Sequence, residues 1–225
     1  MKKEQMTIKE LYDTTKTIAG KYLDGYTYPW EVFPHIGEIV KELGSKLPEE
    51  EYNRLGEDVW VHKSVTVPPT ATLKGPAIFC RNTEIRPGAF VRGNVLVGEG
   101  AVVGNSTELK NVILFDSVQV PHYNYVGDSI LGYKSHMGAS SLTSNVKSDK
   151  TLVKVHGEDG DIETGLKKFG AAIGDFVEVG CGSVLNPGTV VGSHSNIYPL
   201  SSVRGCVNKN SIYKRDGVIV EKEER

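Results

Sequence analysis

Residues 104 to 145 gather most of the side chains that could do chemistry. His122 carries an imidazole that is neutral near pH 7 and can take a proton from a nucleophile. Nearby stand the carboxylates Glu108 and Asp128, the cation Lys110, the phenol Tyr125 and the amide Asn145, with Arg86 and Arg92 upstream. Cations and hydrogen-bond donors of this kind suit an anionic substrate such as a phosphate ester. Taken singly, each has a plainer reading. A lone histidine is more often a satisfied surface residue, Glu108 reads equally as a solvated carboxylate, and either arginine as an ordinary corner residue. Their weight comes from the scaffold that positions them.

That scaffold is written as a repeat of six. Large aliphatic residues or Phe occupy Val61, Val67, Leu73, Phe79, Ile85, Val91, Val97, Val103, Leu109 and Phe115, then Ile173, Val179, Leu185, Val191, Ile197 and Val203. In a chain that is 39% apolar, ten such hits in one phase arise by chance about once in ten thousand trials. The residue four places on is usually small or β-branched, as in Ala71, Ala77, Ala89 and Thr107. Neither helix nor simple strand alternation has this period. A coil of parallel strands does, each side of a triangular turn taking about six residues with one side chain pointing inward. The fold expected is an all-β solenoid.

Bulk properties narrow the partners. The chain has 225 residues and a formal charge of -2, with a pI near 6.3. It lacks the dense basic cluster of a general nucleic-acid binder. Cys80, Cys181 and Cys206 have no paired spacing and leave one odd thiol, which suits a reducing cytoplasm and buried filler roles. The start, MKKEQMTIKE, is charged without an apolar run, so neither a signal peptide nor a membrane span is expected.

Three regions follow. Residues 1–56 read as a helical appendage, with Ile8, Leu11, Tyr12 and Ile18, then Ile36, Ile39, Val40 and Leu43, near helical spacing. So short a helical unit cannot bury its apolar face alone, and is expected to pack on the coil or cap its end. Residues 57–207 carry the repeat, with Gly, Pro, Asn and Asp at the corners. Residues 208–225 read as a hairpin tail around Asp216-Gly217. Within the coil the register breaks after Phe115, where apolar positions continue at Val120, Val126, Leu131 and Met137, leaving two sides one residue short. Residues 146–170 have no six-residue beat and read as a loop excursion of the kind that carries binding.

At these positions the sequence resembles a known family. The segments Gly104-Asn105-Ser106-Thr107-Glu108-Leu109-Lys110, Pro121 to Ser129 and Gly138 to Asn145 resemble the C-terminal acetyltransferase half of the bifunctional glucosamine-1-phosphate N-acetyltransferase/N-acetylglucosamine-1-phosphate uridylyltransferases. The stretch Lys167 to Asp175 resembles archaeal-type members. The resemblance covers roughly residues 57 to 206 and implies a left-handed parallel β-helix of hexapeptide repeats, assembled as a homotrimer with active sites between subunits. Periodicity alone does not give that hand, since parallel crossovers are otherwise almost always right-handed. The family's nucleotidyltransferase half has no counterpart before residue 56, so a separate nucleotidyltransferase is a possible partner.

The resemblance also implies roles. His122, with Tyr125, Gly127 and Asp128, matches the family's His-x-x-Tyr-x-Gly-Asp pattern and is the expected general base. Glu108 is expected to orient or charge-stabilise its imidazole, and Asn145 to contact substrate or donor near the reaction. Lys110, Tyr125, His136 and Lys150 are expected to bind the amino sugar phosphate. Arg92 is preferred over Arg86 for its phosphate, being one coil side nearer the Gly104-Asn105 segment. Acetyl-CoA, the expected donor, is placed along Ala139, Cys181, Tyr198 and Pro199, with no metal required. Cys181, Tyr198-Pro199 and His136 depart from the family pattern, which leaves donor and acceptor identity open.

The function expected is acetyl-CoA-dependent N-acetylation of a hexosamine 1-phosphate in UDP-N-acetylhexosamine synthesis. The alternative is a trimeric scaffold or sugar-nucleotide-binding regulator without catalysis. A zinc enzyme of the γ-carbonic anhydrase type is disfavoured because His122, His136, His156 and His194 lack the His-x4-His spacing of that family. Convergence of His122, Lys110 and Asn145 on one open groove would favour catalysis.

Overall fold

The computed structural model describes residues 1–223 and forms a left-handed parallel β-helix of about nine turns. The last two residues of the expected tail, Glu224 and Arg225, lie outside the described residues. Each turn has three faces. The first face stacks Val59–His62, Ala77–Phe79, Val95–Val97, the ends of Glu108–Leu114 and Tyr125–Leu131, then Ala171–Ile173, Thr189–Val191 and Cys206–Val207. The second stacks Glu84–Ile85, Val102–Asn105, Gln119–His122, His136–Met137, Glu178–Val179, Asn196–Ile197 and Ser211–Tyr213. The third stacks Thr72–Leu73, Phe90–Val91, the starts of the two long strands, Leu142–Thr143, Val184–Leu185 and Ser202–Val203.

Repeat positions fall in register. Val61, Phe79, Val97, Leu114, Leu131, Ile173, Val191 and Val207 are successive partners on the first face and all are buried. Here the structure corrects the sequence reading: Leu114, not Phe115, holds the repeat position, while the Phe115 ring lies 5.2 Å from that of Tyr12. The strict six-residue step from Leu109 lands on Phe115, whereas the turn is one residue short and the inward position falls on its apolar neighbour.

The two short sides are corners between the third and first faces. The full-length corner after Val91 has two left-handed residues, Gly93 (φ 98°) and Asn94 (φ 54°), and the one after Leu185 has one, Gly188 (φ 83°). The shortened turns use one each, Asn111 (φ 56°) and Asp128 (φ 48°). Both are residue types that tolerate this conformation, and each lies inside a continuous seven-residue strand.

The first face is apolar on its outer side as well. Trp60, Ile78, Leu96, Ile113, Ile130, Ala172, Val190 and Cys206 form an outward ladder, and the appendage covers it. Residues 3–44 form short helices; the longest, Ile36–Gly44, packs on the first face, with Gly44 so close to Trp60 that an added Cβ would lie 2.4 Å from the indole. Tyr12 Oη donates to Ile130 O at 3.4 Å. The appendage thus lies along a face rather than capping an end.

The excursion contains an antiparallel hairpin, Lys154–Gly157 with Gly160–Glu163, and returns through Phe169, which is buried between Trp30 and Phe33. In the tail, Ser211–Tyr213 completes the second face before pairing antiparallel with Ile219–Glu221. Among the described residues no helix is long and apolar enough to cross a membrane.

Candidate active site

The expected site residues sort onto two edges of the coil. Along the edge between second and third faces, backbone bonds Ser140 N to His122 O, Gly182 N to Ala139 O and Leu200 N to Cys181 O stack His122, Ala139, Cys181 and Pro199 in one line. His122 ends the strand Gln119–His122 and is exposed. Its backbone N–H donates to Asn124 Oδ1 at 3.0 Å. Asn124 is buried and donates in turn to Gly138 O and Ser141 O. The corner beneath the imidazole is therefore rigid, while the imidazole itself faces outward. Arg86 belongs to this edge: it bonds Glu84 at 2.7 Å and donates to Pro121 O at 3.4 Å, next to His122. Gly104 between them carries no side chain, and a Cβ there would sit 1.7 Å from Pro121 O.

The edge between third and first faces carries the other group. Lys110 Nζ donates to Asp128 Oδ1 at 3.0 Å, Asn111 Nδ2 donates to the same oxygen at 3.0 Å, and Asn145 Nδ2 donates to Asp128 Oδ2 and to Tyr125 Oη. Both shortened corners meet here, since Asn111 and Asp128 are their left-handed residues. Gly127 is required by close approach: a Cβ would lie 2.5 Å from Tyr125 Oη and 3.0 Å from Asn145 Nδ2. Partial burial and the Asp128 carboxylate push the Tyr125 phenol above its ordinary pKa, so it stays a donor at neutral pH. Asn111 Nδ2 also reaches Phe33 O at 3.1 Å, tying the appendage to this cluster.

Several expectations change. Glu108 does not meet the His122 imidazole; it pairs with Arg92 at 2.7 Å and holds that guanidinium's pKa above its usual value. Arg92 occupies the register position of Lys110 one turn back, whereas Arg86 sits on the His122 edge. His136 lies on the second face, with Nδ1 2.8 Å from Glu178 Oε2, away from Lys110. Lys150 is exposed at a left-handed position (φ 59°) in the excursion and makes no side-chain hydrogen bond among the described residues. Tyr198 is exposed one residue before Pro199. Within one subunit Lys110 and Asn145 converge through Asp128, and His122 does not join them. The sequence reading had not singled out Asn111, because with Phe115 in the repeat the first short side fell after residue 115; with Leu114 in that position it falls between Leu109 and Leu114 and contains Asn111. Among the described residues no group of three His, Cys, Asp or Glu side chains is placed to hold a metal ion.

Comparison with known proteins gives a consistent relationship. A family model described as the GMPPB C-terminal domain matches residues 73–167. "Bifunctional protein GlmU" of Methanococcus vannielii is 32% identical over 222 residues, covering 96% of this chain and 53% of that protein. A "Bifunctional sugar-1-phosphate nucleotidylyltransferase/acetyltransferase" of Sulfurisphaera tokodaii is 31% identical over 128 residues, 57% of this chain and 32% of that protein. The chain spans about half the length of the first of these curated relatives. Among solved structures, the polySia specific acetyltransferase NeuO is 13% identical with a TM-score of 0.47, covering 71% of this chain and 79% of that one.

Proposed function

We propose that this chain, an archaeal-type relative of GlmU proteins along 96% of its length, transfers an acetyl group from acetyl-CoA to the amino group of a hexosamine 1-phosphate. The product would feed UDP-N-acetylhexosamine synthesis. One observation carries the reading. A line of His122, Ala139, Cys181 and Pro199 suited to an extended donor runs along one edge, and a cation-rich cluster of Arg92, Lys110, Tyr125 and Asn145 suited to a sugar phosphate lies on the next.

The two edges flank the third face of one subunit, so a second copy has to bring one edge against the other's partner edge. A homotrimer does this three times over. The appendage occupies the first face and reaches the Lys110 edge through the Phe33 carbonyl bound by Asn111.

In the reaction, Lys110 and Arg92 hold the sugar phosphate and Tyr125 donates a hydrogen bond to it. His122 takes a proton from the amine as the nitrogen attacks the thioester carbonyl. The C–N bond forms, the C–S bond of the tetrahedral intermediate breaks, and the thiolate leaves as CoA with the proton His122 has carried.

A second reading, a trimeric scaffold or sugar-nucleotide sensor, draws support from the separation of His122 and Lys110 within a subunit. The test is free-thiol release from acetyl-CoA with glucosamine 1-phosphate, galactosamine 1-phosphate or no acceptor. Acceptor-dependent release, lost in His122→Ala and regained when that variant is mixed and refolded with Lys110→Ala, supports shared active sites. No release from a folded trimer with any acceptor favours the scaffold.

A further inference from the structure

The register file that contains Arg92 and Lys110 continues through Gly127, Ser144 and Asn186 to Arg204. Four rungs separate Lys110 from Arg204, about 19 Å at the usual strand spacing. One small sugar phosphate cannot touch both.

Around Arg204 the excursion builds a cavity of about 380 Å³, lined by Ser144, Lys147, Lys154, His156, Asn186 and Arg204, among others. Its walls are fixed by close backbone approach. Gly188 (φ 83°) lies under the hairpin, where a Cβ would sit 2.5 Å from Lys154 O, and Gly205 (φ 82°) lies 3.4 Å from His156 O by the same measure. Lys154 is anchored by Glu163 at 2.6 Å and His156 Nδ1 by Asp161 at 2.7 Å, both carboxylates lying outside the cavity lining. The lining holds three cations, Lys147, Lys154 and Arg204, and one carboxylate, Asp149, with which Lys147 pairs at 3.3 Å. Arg204 has no carboxylate at ion-pair distance among the described residues.

We infer that this cavity is a second anion site, taking a phosphate or diphosphate group of an elongated ligand. Two sources share that chemistry: the phosphates of the acetyl donor and the diphosphate of a sugar nucleotide. The choice between them rests on the acetyl-transfer reading; the site itself does not.

Calorimetric titration of the full chain with pyrophosphate tests the site. Arg204→Ala is expected to weaken binding at least about tenfold, Arg204→Lys to restore part of it, and Arg81→Ala to leave it unchanged, since Arg81 pairs with Glu51 outside the cavity lining. No pyrophosphate binding, or a loss in Arg81→Ala instead of Arg204→Ala, overturns the inference. Titrations of CoA, 3′-dephospho-CoA and a uridine diphosphate sugar then name the source, as the ligand whose affinity falls in Arg204→Ala. If none falls, the site is not a ligand site and the inference fails. Absent thiol release with intact pyrophosphate binding would remove the acetyl-transfer reading alone.

Discussion

Lys110 Nζ lies 3.0 Å from Asp128 Oδ1, and the Asp128 side chain is only 5% exposed against 25% for Lys110. The carboxylate thus fixes the ammonium from beneath and leaves part of it open to a ligand. Asp128→Ala leaves Lys110, Asn111 and Asn145 without their shared acceptor. Denaturation is expected to show a loss of about 2–3 kcal/mol, discounted for the partial exposure of Lys110. The acceptor KM should rise as well; an unchanged midpoint and KM would remove Asp128 from this role.

His122 is exposed and its imidazole makes no hydrogen bond among the described residues. Replacement by Ala should therefore leave thermal stability and oligomeric state unchanged while lowering kcat about 10²–10⁴-fold. A variant that melts early, or retains full activity, would contradict the assignment.

The two arginines separate by edge. Arg92→Ala should raise the acceptor KM about tenfold or more with little change in the donor KM. Arg86→Ala, next to Pro121 on the His122 edge, should act on the donor side or on kcat. Steady-state kinetics with both substrates varied will distinguish them.

The thiols should differ in reactivity. Burial pushes Cys80 and Cys206 up to about 12, so both stay protonated and inert at pH 8. Each would need alkaline pH near that value to form thiolate, or unfolding. Cys181 is exposed on the His122 edge. One fast-reacting thiol, slowed by CoA, is the outcome expected from a thiol-reagent time course on the native protein.

Trp30 is buried with its ring 5.8 Å from that of Phe169, clamping the end of the excursion under the appendage. Trp30→Ala should cost about 3–5 kcal/mol and expose residues 146–170 to protease before the coil unfolds. Limited proteolysis with denaturant melting would show both.

The six-residue period is legible because inward side chains stack turn on turn, a local rule that composition cannot hide. It gave the coil and one shortened side, Val126 to Leu131; the other lies before Leu114 rather than after Phe115. It put Phe115 in the repeat where Leu114 belongs, since only the pairing of Val97 with Leu114 settles which apolar residue points inward. Nor did it place the appendage: the outward ladder from Trp60 to Cys206 becomes one surface only after residues far apart in sequence are stacked.

The site divides in the same way. The sequence by itself determined the residue types of a proton acceptor and an anion-binding cluster, and the scaffold that carries them. Only the tertiary structure decided that Glu108 pairs with Arg92, that Asp128 gathers Lys110, Asn111 and Asn145, and that His122 stands on a different edge. The reason is geometric. A repeat fixes how far along the coil each side chain lies, whereas the edge from which it emerges depends on how each corner turns, and two of those corners are a residue short.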